Sequence, residues 1–212
     1  MKTKVDPYIK GLLSKYNQGI KLDIGCGASK QPGFVGMDLL DLPNVDIVHN
    51  IEKFPWPLPD ESVSFAMASH LVEHISPTPH DPRLAGLIDL LLKKKVLNLK
   101  DIQEYVGEYA PGPIFMRFMD EVWRVLKVDA EFALVTPYAG SQGYWWDPTH
   151  INGCNEYTWE YFDPLGPRSN GGFYQFYKPK PWKIKVNVWQ ANGNLEVVLV
   201  KRALRKDGNY AN

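Results

Sequence analysis

Ile20-Lys21-Leu22-Asp23-Ile24 runs straight into Gly25-Cys26-Gly27. Apolar and polar residues alternate over the first five positions, as in a strand with one face toward a core. The glycines then cut it off. Lacking a Cβ, they permit positive φ and let a ligand come close to the backbone. Working outward, Phe34-Val35-Gly36-Met37 is a second short strand ending at Asp38. An acid there suits a pair of ribose hydroxyls. Asp46 to His49 is a third strand, and Ser62 to Ser69 a buried fourth that stops at His70. A dinucleotide site is the obvious competitor. It needs a third glycine where this chain has Lys30, and an acid about 20 residues on. Asp38 comes only 13 after Gly25, so pyrophosphate binding is poorly supported.

The flanks complete the pattern. Residues 6–18 form an amphipathic helix by spacing, with Tyr8, Ile9, Leu12, Leu13 and Tyr16 on one stripe. Leu71 to Ile75 begins a helix, and residues 83–106 read as helical through Leu84, Leu87, Ile88, Leu91 and Leu92. Residues 114–127 form a strong amphipathic helix, Glu131 to Pro137 a strand, and 138–153 a loop rich in glycine and aromatics. Asn155 is an N-cap candidate for a short helix to Phe162. Trp182 to Trp189, with Ile184, Val186 and Val188 on one face, turns through Asn192-Gly193 and returns over Leu195 to Lys201. Residues 203–212 read as a frayed tail. βαβ-like units followed by a hairpin predict an α/β fold, a mostly parallel sheet with an antiparallel edge.

Five segments in order carry a family resemblance. Leu22-Asp23-Ile24-Gly25-Cys26-Gly27 resembles the first motif of class I S-adenosylmethionine-dependent methyltransferases, in particular the type 11-like group. Asp38 matches their acidic second-strand end. Asn50-Ile51-Glu52 with Phe54-Pro55-Trp56-Pro57-Leu58-Pro59 resembles the stretch before their fourth strand. Ser69-His70-Leu71-Val72-Glu73-His74-Ile75 resembles the segment after it, and Phe118 to Lys127 the helix before the fifth. The resemblance covers residues 20–137. It implies a Rossmann-like, mostly parallel seven-stranded sheet, with an antiparallel C-terminal hairpin and an inserted helical segment. That makes residues 1–212 one methyltransferase domain, with 78–113 as an insertion and possible lid.

The resemblance also implies S-adenosyl-L-methionine as cofactor. Asp23 and the backbone of Gly25, Cys26 and Gly27 would face its methionine part. Asp38, with Leu39 beside it, would hold the ribose, Asn50 and Ile51 would bracket the adenine, and Ser69 and His70 would lie near the sulfonium. The chain departs from the pattern twice. Asn50 stands where the family has Asp, and only nine residues separate Ile24 from Phe34, so the first crossover helix must be very short.

The acceptor side falls in the loop after the fifth strand, Tyr144-Trp145-Trp146-Asp147-Pro148-Thr149-His150. Aromatic walls orient an acceptor, and His70, His150 or Asp147 can take a proton. The alternative is that Trp145 and Trp146 are core and Asp147 caps a turn. His80-Asp81 is a weaker candidate for the same pocket. His70-x-x-Glu73-His74 matches an inverted zinc-protease pattern, but that pattern needs a continuous helix and His70 closes a strand. The site is therefore expected to hold no metal. The alternatives to a methyltransferase are a binding subunit that has lost transfer and a zinc hydrolase using His70 and His74.

Composition narrows the partners. Of 212 residues, 24 are Lys or Arg and 24 are Asp or Glu, so the formal net charge is zero. That disfavours a nucleic-acid acceptor held by bulk charge; a small-molecule or glycan-like acceptor is expected, with a peptide also open. Locally, 38–61 is acidic and 178–206 basic, so an acidic edge for a cationic ligand and a basic edge for an anionic one are both open. The two cysteines, Cys26 and Cys154, form no metal or disulfide pattern. With no apolar leader and no run of ~18 apolar residues, a soluble, cytoplasmic protein without a membrane span is expected. Oligomeric state is not legible.

Overall fold

The computed structural model describes residues 7–16, 18–76, 113–166 and 179–204. The expected insertion at 78–113, with Lys93–Lys95 and His80-Asp81, lies outside these residues except for Pro113. So do residues 205–212 of the expected tail.

Helix α1 spans Pro7–Ser14, and the strands are β1 Ile20–Ile24, β2 Val35–Asp38, β3 Ile47–Val48 and β4 Val63–Ser69. A 3-10 turn covers Val72–His74. Then come α2 Ile114–Val125, β5 Leu126–Pro137, α3 Gln142–Trp146, α4 Glu156–Glu160, β6 Trp182–Trp189 and β7 Asn194–Lys201. All seven strands join one sheet in the order β3-β2-β1-β4-β5-β7-β6. The first five are parallel, and β7 lies antiparallel between β5 and β6. The expected mostly parallel seven-stranded sheet with an antiparallel C-terminal hairpin is present.

The core follows from this order. Strand β1 is central, so Ile20, Leu22 and Ile24 are fully buried and Asp23 nearly so; a parallel strand covered on both faces buries more than alternate residues. Helix α2 buries Ile114, Phe118, Met119, Val122 and Val125 at three- and four-residue spacing. Trp56, Phe118, Phe132 and Trp182 stack in a chain with ring centroids 5.7 to 6.2 Å apart. This ties the proline-rich loop, α2, β5 and β6 together, each pair worth about 0.5–1.5 kcal/mol beyond burial.

Several expectations are corrected. In α1 only Ile9 and Leu12 are buried, while Tyr8 and Tyr16 are exposed. No helix lies between β1 and β2; the short crossover is turns alone. Strand β5 begins at Leu126 rather than Glu131, straight off α2. Its register against β4 shifts between Val63 and Phe65, and Asp129 takes a positive φ of 63°. The loop at 138–153 contains α3, capped by Ser141, whose side chain accepts from the Tyr144 N–H. On β6 a bulge between Ile184 and Val186 breaks the alternation, and Val188 is exposed. Helix α4 does carry the expected Asn155 cap, completed as a capping box with Thr158.

Part of each charged stretch is ion-paired. Asp46 binds Lys30 at 2.7 Å, Asp60 and Glu121 bind Arg124, Glu61 binds Lys201 and Asp163 binds Arg202. Lys185 pairs with Glu131. Among the described residues, Asp46, Asp60 and Glu61 of the acidic stretch and Lys185, Lys201 and Arg202 of the basic one are thus ion-paired, and Glu61–Lys201 joins the two stretches directly.

Candidate functional site

The chain starts at the sheet centre with β1, steps outward to β2 and β3, then returns to place β4 on the other side of β1. The crevice between the carboxyl ends of β1 and β4 is thus the switch point where ligands bind in open α/β sheets. Ile24 is level with Ala68, so Gly25 and Ser69 leave the sheet side by side.

The glycine turn needs its glycines. Gly25 has φ +70° and Gly27 φ +54°. A Cβ on Gly25 would meet Leu71 Cδ1 at 2.7 Å. Two carboxylates hold the turn in place of the missing crossover helix. Asp38 Oδ2 accepts from the Gly27 N–H at 2.8 Å, and Asp23 Oδ2 from the Gln31 N–H at 2.9 Å. Burial pushes the Asp23 carboxyl above its usual range, opposed by the Gln31 bond and Lys30. Asp38 Oδ1 accepts from the Leu40 N–H, and Leu39 beside it is 60% exposed. Asn50 follows β3; its carbonyl accepts from the Glu52 N–H at 2.9 Å, leaving one lone pair and its amino group. The Ile51 carbonyl accepts from Trp56 Nε1.

On the β4 side, Ser69 is exposed and His70, with φ +50° and a side chain 49% exposed, turns the chain away. Its Nδ1 lies 3.4 Å from Glu73 Oε1. Glu73 is fully buried and central. Its Oε2 accepts from the Thr136 hydroxyl, and its backbone carbonyl accepts from the Ile151 and Asn152 N–H groups. Asn152 in turn donates to the Val72 and Ile75 carbonyls. Glu73 therefore fastens the loop after β5 onto the turn after β4. It brings His74 and His150 together, with ring centroids 4.7 Å apart.

The His150 ring is nearly buried, with Nδ1 2.8 Å from the Tyr144 carbonyl and Nε2 3.8 Å from Asp147 Oδ2. Hydrogen bonds from Thr149 hold the Asp147 carboxyl below its usual range. Tyr144 is buried, whereas Trp145 and Trp146 are 75% and 78% exposed. A core role for the two tryptophans is thereby overturned, because the single turn of α3 points Tyr144 inward and its successors outward.

The structure thus gathers Asp23, Gly25, Cys26, Gly27, Asp38 and Leu39 around one turn, and His70, His74, Asp147 and His150 around Glu73. The sequence singled out Glu73 only as part of a motif and missed its organising role. An acid inside Leu71-Val72-Glu73-His74-Ile75, an otherwise apolar turn, was the available signal.

Neither thiol is built for chemistry. Burial, then Asp23 and Asp38, push Cys26 up to about 11. Burial and Glu73 push Cys154 up to about 12. Relative to an ordinary thiol, Cys26 carries about 100-fold less thiolate at neutral pH. Iodoacetamide at pH 7.5 should leave Cys26 largely unmodified by mass spectrometry, with the rate climbing as pH is raised. Rapid labelling at pH 7.5 contradicts this environment.

No family model matches the chain, and no curated protein matches it. Solved structures do. A S-adenosylmethionine-dependent methyltransferase from Aquifex aeolicus is 14% identical, with a TM-score of 0.45, covering 92% of this chain and 94% of that one. Another from Archaeoglobus fulgidus is 14% identical, with a TM-score of 0.44, covering 91% and 93%. The PH0226 protein from Pyrococcus horikoshii OT3 is 14% identical, with a TM-score of 0.48, covering 92% and 88%. These likenesses are distant; the strand order and switch point define the fold. The chain has a Rossmann-like, mostly parallel seven-stranded sheet with an antiparallel C-terminal hairpin. Among the described residues, no helix is long and apolar enough to cross a membrane.

Proposed function

We propose that this protein binds S-adenosyl-L-methionine at the switch point and transfers its methyl group to an oxygen or nitrogen of a small-molecule or glycan-like acceptor. One coincidence supports this most. The positive-φ glycine turn, the acidic end of β2 and the exposed Ser69-His70 pair meet at one crevice. Asp38 takes the ribose hydroxyls, with Leu39, Asn50 and Ile51 around the adenine. Gly25 to Gly27 and Asp23 border the methionine part, and Ser69 and His70 lie near the sulfonium. Asn50 offers the adenine an amino donor and one carbonyl lone pair, without charge.

The sulfonium supplies the electrophile, so the protein's task is alignment. Holding nucleophile, methyl carbon and sulfur in line converts a bimolecular step into an effectively unimolecular one. The acceptor–carbon bond forms as the carbon–sulfur bond breaks, and its electron pair leaves on the sulfur. A hydroxyl acceptor also loses a proton, for which exposed His70 is best placed. Asp147 and His150 border the acceptor side, and exposed Trp145 and Trp146 give it flat apolar faces.

Isothermal calorimetry tests the cofactor reading. S-adenosylmethionine and S-adenosylhomocysteine should each bind one per chain with micromolar dissociation constants, about −8 kcal/mol, while NADH gives no heat. Absence of heat for both sulfur compounds at millimolar concentration overturns the reading. A subunit that has lost transfer would bind equally well but methylate nothing across a broad acceptor panel.

A further inference from the structure

We propose that Glu73, His74 and His150 form a binding site for a divalent transition-metal ion of the zinc type. The site stands independently of the methyl-transfer reading.

Proximity comes first. One ligating atom from each of the three residues lies within 4.8 Å of the others. An ion with bonds of about 2.1 Å spaces its ligands roughly 3–4 Å apart, so a closing of about an ångström completes the set. The three come from two segments that the Glu73 backbone already fastens together.

The hydrogen bonds fix which nitrogens are free. The Tyr144 carbonyl can only accept, so His150 Nδ1 carries a proton and donates it. The Thr149 hydroxyl donates its one proton to Asp147 Oδ1 at 2.6 Å. Its oxygen, 3.0 Å from His74 Nδ1, therefore accepts from that ring. A neutral ring held this way carries its proton at Nδ1 and leaves Nε2 to a metal; His150 Nε2 lies 3.8 Å from Asp147 Oδ2. Metal-binding histidines are oriented in this way, the second nitrogen donating to a carbonyl or, here through a hydroxyl, to a carboxylate.

The carboxylate supplies the independent observation. Glu73 is 0% exposed, and its Oε1 makes no hydrogen bond among the described residues; His70 Nδ1 stands 3.4 Å away. A buried carboxylate oxygen without a donor is costly. One nitrogen of each imidazole lies within 4.8 Å of a Glu73 carboxylate oxygen, and a cation answers all three. Two histidines and one glutamate are a zinc donor set that leaves coordination positions open to water or a hydroxyl. His70, the first histidine of the zinc-protease-like motif, is outside the cluster. Its positive φ ends β4, and only a 3-10 turn follows, so His150 from the next loop stands in its place.

The untagged full chain is stripped with chelator and titrated with zinc and, separately, cobalt. One zinc per chain should bind with micromolar affinity or tighter, raising the thermal transition. Cobalt should give visible d–d absorption. Glu73→Gln and His74→Gln should each weaken zinc at least 100-fold with unchanged near-ultraviolet dichroism, and Thr149→Val about 10-fold through His74. If a ligand variant fails to fold, Thr149→Val carries the test. Overturning results are no zinc binding below millimolar concentration, or affinity unmoved in every variant that folds.

Discussion

Replacing Asp38 with alanine is expected to weaken S-adenosylmethionine binding by about 100-fold or more, measured by calorimetry. The carboxylate is already aimed and held. Its two oxygens accept from the Gly27 and Leu40 N–H groups at 2.8 and 3.1 Å, and each keeps a lone pair for a ribose hydroxyl. Hydrogen bonds to a charged group are worth about 1.5–3 kcal/mol each. Losing two, at the lower end because the site is half exposed, gives about 3 kcal/mol, or roughly 100-fold. Asp38→Asn should cost less, since its carbonyl still accepts one hydroxyl. Fold stability should fall only by the two lost turn bonds, about 2 kcal/mol, which urea unfolding checks. Unchanged affinity in Asp38→Ala contradicts the ribose assignment.

The largest loss of stability is expected for Asp163→Ala, about 3–5 kcal/mol by urea unfolding. Asp163 sits under the C-terminal hairpin, 4% exposed. Its Oδ1 accepts from Arg202 Nη2 and from the Leu165 N–H, both at 3.1 Å, and its Oδ2 from the Ile184 N–H at 3.0 Å. Removal orphans two backbone donors and strips its carboxylate from a buried guanidinium. Breaking one side of such a pair is far worse than replacing both. Asp163→Ala with Arg202→Met should therefore be more stable than Asp163→Ala alone. A loss under about 1 kcal/mol would mean that the pair does not anchor the hairpin.

The sheet was legible because its strands are bounded by local signals. Glycines end β1, Asp38 ends β2, His70 ends β4, and an Asn-Gly turn joins β6 to β7. The switch point was legible for the same reason, since strand ends locate it. Features set by distant partners were not. Glu61 and Lys201 pair across 140 positions, a partnership that neither local charge run announces. Strand β5 starts five residues early because its pairing to β4 slips around a positive φ at Asp129, which no hydrophobic pattern encodes. Tyr144, Trp145 and Trp146 are alike in sequence, and only the Ser141-capped turn decides which one faces inward. Glu73 was hidden inside a motif that pointed to His70 instead.

Crystallising the protein with S-adenosylhomocysteine tests the central claim most directly. The ligand should lie across the carboxyl ends of β1 and β4, with both ribose hydroxyls on the Asp38 carboxylate and the sulfur facing Ser69 and His70. A ligand bound elsewhere, or a crevice left empty at millimolar concentration, contradicts it.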